Sequence, residues 1–197
     1  ILAAGGVHTH LVRNGLRTYT SLNVRSAECM DVHYCAVLIG VGSTTINPYL
    51  AEAAICDRYK RGLFPGSTLK ACIERYMRAV DQGLLKIMSK IGISVLSSYR
   101  GGYYCEAVGL SRSLVAEFFP GMPSRISGIG LSGLKRNLLA LHGEAYEAAE
   151  VVPMALGGLY RYRRGEELHA FDGQLIHILQ SAVASDSYGL YRRYSQG

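Results

Sequence analysis

The segment at residues 97–102 (SSYRGG) is the strongest candidate for a ligand site in this sequence. It follows a short apolar run at 93–96 that predicts a buried parallel strand. Ligand sites of α/β proteins lie at the carboxyl ends of such strands, where a guanidinium can hold a carboxylate or phosphate with two hydrogen bonds. In the alternative, Arg100 pairs with Glu106 or with an acid of another domain and fixes the loop. The side chains concerned are Ser98, Tyr99, Arg100 and Glu106.

Two histidines, His8 and His10, have the H-x-H spacing of some metal sites. On a strand, residues i and i+2 share a face and could bind one ion. Residues 7–16 instead predict a helix that stops at Asn14-Gly15, and on a helix these positions point about 200° apart. Because no third ligand lies nearby, we predict no metal site and assign both histidines to hydrogen bonding at a helix end or an interface.

Two glycine-containing loops are weak candidates for phosphate binding. Gly40 and Gly42 follow a predicted helix and precede a strand, which reverses the order of a dinucleotide-binding loop. The loop at 127–130 (SGIG) precedes a helix capped by Ser132 and could line a phosphate. It has no lysine or acidic partner in register, so we do not assign a nucleotide site.

The cysteines are five in number, and no two of them form a C-x-x-C pair. An odd count without metal-ligand spacing predicts reduced, mostly buried thiols in a reducing compartment. Cys35 or Cys105 could act as a nucleophile with one of the six histidines, but the sequence shows no such pairing. A structural role is the better expectation for both.

The elements that would position these residues alternate between helices and short strands. We predict helices at 7–16, 32–39, 49–59, 67–91, 104–108, 111–119 and 132–149, and strands at 19–25, 44–47, 93–96 and 126–131. Residues 1–4 look like the end of a buried strand, which suggests a piece of a larger protein. This order predicts an α/β fold in residues 1–150, an incomplete parallel β/α arrangement of about four units that is similar to half a barrel. Residues 151–197 read as an irregular and then helical connector, with helices from Asp172 and over 188–194.

Composition and charge limit the possible partners. The net charge is +6, and arginines alternate with tyrosines at 160–164 and 191–194, a pattern that can stack on bases and contact phosphates. Glu166-Glu167 interrupts the first run, and no nucleic-acid motif is present, so we predict solvated or interface arginines and no nucleic-acid partner. The longest uncharged run, 32–51, is too polar and broken for a membrane helix, so we predict no membrane partner.

Several sequence blocks, in a fixed order, resemble one family. They are VHTHLVRNGLR at 7–17, HYCAVLIGVG at 33–42, INPYLA at 46–51, GLLKIMSKIGIS at 83–94, SYRG at 98–101 and FPGMPSRISGIG at 119–130. Together these blocks resemble the large chain of glutamate synthase, in the C-terminal part of its central domain. The ELHA block at 167–170 and the helix at 176–183 resemble the lead-in to the FMN-binding barrel of that chain.

The resemblance implies a parent enzyme that hydrolyses glutamine in an N-terminal amidotransferase domain. The ammonia would then react with 2-oxoglutarate at FMN, with a 3Fe-4S cluster supplying electrons, to give two molecules of glutamate. The family's nucleophile and its flavin, substrate and cluster ligands belong to other parts of the parent. The resemblance therefore implies no catalytic, cofactor-binding or metal residue in this segment, and no activity of the segment alone.

The role implied for the segment is a scaffold between the amidotransferase and FMN sites and part of the ammonia path. Its partners would be the remaining domains of the large chain, with ferredoxin or an NAD(P)H-oxidising small subunit as electron donor, in the cytoplasm or a plastid. Two other hypotheses remain: an autonomous α/β enzyme using Arg100 and a basic nucleic-acid-binding module. Six residues are kept as loop-fixing or interface candidates: His8, His10, Ser98, Tyr99, Arg100 and Glu106.

Overall fold

The computed structural model describes residues 1–146 and 170–197, and the chain divides into two units, 1–141 and 142–197. The described part is mostly helical. Its helices are α1 (Leu2–Arg13), α2 (Val32–Gly40), α3 (Tyr49–Lys60), α4 (Leu69–Ile91), α5 (Leu96–Tyr99), α6 (Arg112–Phe118), α7 (Leu131–Tyr146), α8 (Gly173–Ala184) and α9 (Tyr188–Gln196). Its strands are β1 (Asn23–Arg25) and β2 (Thr45–Asn47), and a single 3-10 turn covers Arg17–Tyr19.

The centre of the first unit is a β-α-β unit made of β1, α2 and β2. The two strands are parallel, with Val24 opposite Ile46. Asp31 caps α2 by accepting a hydrogen bond from the Tyr34 amide at 2.7 Å. Leu38 of α2 and Val41 just after it are fully buried in the main core. The predicted helix and strand at these positions are confirmed.

The long amphipathic helix predicted after residue 67 is confirmed as α4. Thr68 caps its first turn through the Ala71 amide, and Gly92 ends it in the left-handed conformation at φ 80°. A Cβ on Gly83 would lie 2.6 Å from the methyl groups of Val32. This glycine therefore lets α4 approach α2 closely.

The strand predicted at 93–96 is wrong. Val95 has an extended backbone but is 53% exposed, and α5 begins at the next residue, Leu96. Backbone groups of the segment take part in local turns: the Ile93 amide donates to Met88, and the carbonyls of Val95 and Leu96 accept from the amides of Ser98 and Arg100. With these groups used in turns and α5 beginning at Leu96, the segment does not keep the extended run of backbone groups that strand pairing needs.

Other boundaries also differ from the expectations. Residues 1–4 are not strand, because α1 begins at Leu2. The predicted strand at 19–25 is restricted to β1, and 104–108 are not helical. Residues 126–131 contribute one bridge, Ile129 to Leu110, and α7 starts one residue before Ser132, the predicted cap. The described residues hold one two-stranded parallel sheet. They support an α/β fold and do not confirm the half-barrel.

The second unit contains α8 and α9, which pack against each other. Asp172 caps α8 through the Leu175 amide at 2.7 Å, and Ser187 caps α9 through the Leu190 amide. Both helices are confirmed. The irregular segment predicted over 151–170 lies outside the described residues except for its last position, and so does the predicted boundary at 150. Within 1–146 and 170–197, no helix has the length and apolar character needed to cross a bilayer.

Candidate functional site: a basic cavity beside the end of α2

Two of the predicted candidates, His8 and Arg100, line one open polar cavity of about 420 Å³ in the first unit. The residues around it come from α1, the 3-10 turn, the loop before β2 and the region of α5. They are His8, Arg17, Thr18, Thr20, Ser21, Thr44, Ser97 and Arg100. The set carries two guanidinium groups, an imidazole and five hydroxyls, and it includes no acid. Its chemistry is therefore that of a site for negatively charged groups.

The carboxyl end of α2 brings these distant segments together. The last carbonyls of a helix have no partner inside it. Here Ile39 accepts a hydrogen bond from the Gly101 amide at 3.0 Å, and Gly40 accepts one from the Tyr103 amide at 3.1 Å. These bonds fix the loop that follows Arg100. A Cβ on Gly101 would lie 3.5 Å from Cε1 of His8, so the loop passes close to the imidazole.

Arg17 is the structural centre of the cavity, and it was not among the candidates predicted from sequence. Its guanidinium donates to Nδ1 of His8 at 3.0 Å, to the Thr20 carbonyl at 2.7 Å and to the Gly42 carbonyl at 2.6 Å. The signal available in sequence was that Arg17 ends the first of the family-like blocks, two residues after the Asn14-Gly15 stop. Nothing local indicated that it would reach a loop 25 residues away.

His8 is held neutral by its surroundings. Its pKa is lowered, first by burial and second by the positive charge of Arg17. Nδ1 accepts the hydrogen bond from Arg17, which assigns the proton of the neutral ring to Nε2. The ring also packs edge-on against Tyr103, with centroids 6.4 Å apart. His8 therefore offers an N–H donor rather than a positive charge at neutral pH.

A lowered His8 pKa makes stability depend on pH. The unfolded chain binds a proton at His8 near pH 6.5, where the folded chain does not, so folding is disfavoured as pH falls through that region. We expect the free energy of unfolding of the wild type, relative to that of His8→Gln, to decrease between about pH 7.5 and about pH 5.5. Urea unfolding at each pH measures it. His10 is exposed, and His10→Gln, as the control, should show the same pH dependence as the wild type. If the difference in free energy of unfolding between the wild type and His8→Gln stayed the same at every pH, the expectation would be contradicted.

Tyr99 anchors the loop that carries Arg100. Its side chain is 6% exposed and packs in a second core cluster with Ile39 and Met88. Its ring stacks on Tyr104 with centroids 5.7 Å apart, and the Tyr104 hydroxyl donates to the Ser98 carbonyl at 3.2 Å. Ser98 and Arg100 themselves are exposed. Within the predicted segment, Tyr99 is therefore buried and holds the loop in place, while Arg100 is exposed and basic.

Glu106 does not lie in the cavity. Its carboxylate accepts from Nε of Arg125 at 3.2 Å and from the Arg125 amide at 3.2 Å. The Arg100–Glu106 pair that the sequence suggested is thus replaced by Glu106–Arg125. In the two described ranges, no carboxylate lies within 4.0 Å of the guanidinium of Arg100 or of Arg17.

His10 lies apart from His8, as the helical spacing predicts. It is exposed, and Nδ2 of Asn14 donates to its backbone carbonyl at 2.8 Å. Between them, Thr9 is buried and donates to the Phe118 carbonyl at 2.9 Å, which links α1 to α6. Over 1–146 and 170–197, no three His, Cys, Asp or Glu side chains come together as a possible metal site.

The cysteines do not fit the iron–sulfur cluster that the family resemblance implies for the parent. All five are free thiols, and the described residues bring no three of them together. Burial raises the pKa of Cys35 to about 11 and raises the pKa of Cys105 as well. A thiolate is the nucleophilic and metal-binding form, so both thiols are poorly suited to either role near neutral pH.

The loop at 127–130 does not fit the phosphate of a flavin. A Cβ on Gly128 would overlap the carbonyl of Gly109, so the loop packs against its own chain. Ile129 exchanges backbone hydrogen bonds there, donating to Gly109 at 2.9 Å and accepting from Ser111 at 2.8 Å. The amide of Ile129 is therefore used within the fold and is not available to a phosphate.

Comparison with known proteins agrees with the sequence blocks. The family model for the glutamate synthase central domain matches residues 1–111. The NADPH glutamate synthase large chains of Azospirillum brasilense and Bacillus subtilis (strain 168) are 58% and 38% identical to the chain over 196 residues. The chloroplastic ferredoxin-dependent glutamate synthase of Spinacia oleracea is 36% identical over 206 residues. Each match covers 100% of this chain and 13% of the relative. The chain belongs to the glutamate synthase family, and its residues 1–111 match the central domain of the large chain.

Proposed function

We propose that this chain is a central-domain segment of a glutamate synthase that acts as a scaffold between the amidotransferase and FMN sites. The observation that carries the proposal is the match to glutamate synthase large chains over the whole segment, 58% identical in one of them. The parent reaction would convert glutamine, 2-oxoglutarate and a reductant into two molecules of glutamate. FMN and a 3Fe-4S cluster would be held by other parts of the parent, and this segment would form part of the ammonia path.

The described side chains support a noncatalytic role. Arg17 uses its guanidinium to hold three segments of the fold together, and the raised pKa values of Cys35 and Cys105 keep these thiols protonated. The strand end that would have placed Arg100 in an enzyme site of the usual α/β kind is absent, since α5 occupies that position. The autonomous enzyme hypothesis therefore loses the premise on which it was based.

The surface of α7 supports contact with further parts of the parent. Leu138, Leu139 and Leu141 are 66%, 59% and 63% exposed. A run of large apolar side chains in water is unusual for a free-standing domain and is typical of a surface that another domain covers. We propose that the remaining domains of the large chain cover it. The electron donor of the parent would be ferredoxin or an NAD(P)H-oxidising subunit, and the compartment the cytoplasm or a plastid.

Purification of the chain tests the noncatalytic part of the proposal. We expect the chain to keep no flavin absorbance after gel filtration, to release no ammonia from glutamine and to form no glutamate from 2-oxoglutarate. Retained flavin or turnover of either substrate would contradict the proposal. A salt-sensitive gel shift with DNA or RNA would instead favour the nucleic-acid hypothesis.

Association with the rest of the parent tests the scaffold role. The chain is mixed with the separately expressed N-terminal and C-terminal parts of a related large chain, and complex formation is followed by gel filtration. We expect a complex with the wild-type chain and a loss of at least about tenfold in affinity with Leu138→Ser/Leu139→Ser, because exposed leucines contribute to an interface without supporting the fold. Arg78→Gln, an exposed change on α4, is the matched control. Equal binding by both variants would count against the α7 surface.

A further inference from the structure

The cavity beside the end of α2 has positive charge that the described residues do not neutralise. Arg17 and Arg100 both line it, and the lining contains no aspartate or glutamate. The described elements around the cavity contribute neutral or basic groups: His8 comes from α1, Thr44 from the loop before β2, and Ser97 from α5. Two guanidiniums that no carboxylate of the described residues neutralises favour an anion, since like charges that share a cavity repel each other.

The donors that remain free form a complete set for an oxyanion. Within the fold Arg17 uses Nε, both hydrogens of Nη2 (to Gly42 and Thr44) and one hydrogen of Nη1, so one hydrogen on Nη1 remains for a ligand. Among the described residues, none accepts from the Arg100 guanidinium or from Nε2 of His8. Hydroxyls of Thr18, Ser21 and Ser97 add neutral donors at the cavity edge. Oxyanion recognition uses this combination of a guanidinium fork and hydroxyl donors.

We propose that this cavity binds a small oxyanion, the carboxylate or phosphate group of a low-molecular-weight ligand. Arg100 supplies the exposed guanidinium that closes on the anion, and Arg17 and His8 form a wall fixed by their mutual hydrogen bond. The volume of about 420 Å³ suits a small metabolite. This site goes beyond the scaffold role and does not rest on it, because it depends only on residues of this chain.

Titration with two simple probes tests the site. Inorganic phosphate and glutarate are each added to the chain at constant ionic strength, and binding is followed by calorimetry and by the NMR signal of the His8 ring. We expect saturable binding of at least one probe with a shift of the His8 signal. Arg100→Gln should weaken that binding by roughly 10- to 100-fold, because a charge-assisted hydrogen-bonding partner is lost. Arg78→Gln removes the same charge from α4 and should leave the binding unchanged.

The outcomes separate the two sources of the oxyanion. Tighter binding of phosphate would identify a phosphorylated ligand, and tighter binding of glutarate a carboxylic acid; either supports the site. Arg100→Lys should bind at an intermediate level, since an ammonium keeps the charge but loses the planar fork. Arg100 is exposed, so its variants should melt as the wild type does. Binding that does not saturate, that Arg100→Gln leaves unchanged, or that Arg78→Gln weakens equally would overturn the proposal without bearing on the family role.

Discussion

Gly42→Ala is expected to lower the free energy of unfolding by roughly 2–5 kcal/mol, the combined cost of a left-handed backbone and an overpacked side chain. Gly42 has a φ of 114°, a conformation that L side chains rarely adopt. A Cβ built there would overlap the imidazole of His8, around Nδ1. The imidazole has little freedom to withdraw, because Arg17 donates to that same nitrogen at 3.0 Å. Urea unfolding followed by circular dichroism measures the loss.

A matched control separates the backbone cost from the collision. Gly62 also has a positive φ, 72°, but no atom lies within 4 Å of its Cβ position. Gly62→Ala should therefore cost only the backbone strain, about 1–2 kcal/mol. In a double-mutant cycle, His8→Ala should partly rescue Gly42→Ala, because it removes the atoms that the new methyl group meets. Equal losses in the free energy of unfolding for Gly42→Ala and Gly62→Ala, with additive effects in the cycle, would contradict the prediction. They would show that other parts of the structure move to relieve the collision with His8.

The sequence predicted helices well where capping and periodicity agreed. α4 has both a threonine N-cap at Thr68 and a glycine end at Gly92, and α2 and α8 begin after aspartate caps, Asp31 and Asp172. These signals are local: a side-chain oxygen and an amide three residues away. Local signals do not depend on the rest of the chain. These helices could therefore be predicted from the sequence alone.

Short apolar runs were the main source of error. Residues 93–96 and 126–131 each have the composition of a buried strand, and neither forms one. A strand needs partner amides and carbonyls from another segment, and a run of four to six residues does not reveal whether a partner exists. In 93–96 the Ile93 amide already bonds to the end of α4, and the carbonyls of Val95 and Leu96 accept within turns. The estimate of four parallel units depended on such runs.

The candidate site was predicted in part for a reason that proved wrong. Arg100 was selected as a strand-end residue, but it reaches the cavity because the following loop bonds to the last carbonyls of α2. Arg100 and His8 line the same cavity although they are 92 positions apart, and no spacing rule predicts that. Arg17 was missed for the same reason. Its importance comes from the Gly42 carbonyl, which only the folded chain brings within reach.

Arg17→Met is expected to lower the free energy of unfolding by roughly 2–4 kcal/mol, because several hydrogen bonds to a charged donor are lost and a buried carbonyl is left without its partner. Gly42 is buried, and its carbonyl accepts from Arg17 at 2.6 Å. Methionine keeps the length and apolar stem of the side chain, so the change removes mainly the guanidinium. Thermal and urea unfolding measure the effect.

Two further variants identify the cause of that loss. Arg13→Met removes an exposed guanidinium whose one bond, to the Glu117 carbonyl, is 3.3 Å long, and it should cost less than about 1 kcal/mol. Arg17→Lys should recover only part of the stability, since one ammonium cannot reach His8, Thr20 and Gly42 together. In Arg17→Met the pKa of His8 should rise, because the charge that helps to lower it is gone. An unmoved His8 pKa, measured by NMR, would mean that Arg17 does not act on the imidazole. A full rescue by lysine would mean that Arg17 acts through its charge alone. The fork geometry would then not be what joins α1 to the end of α2.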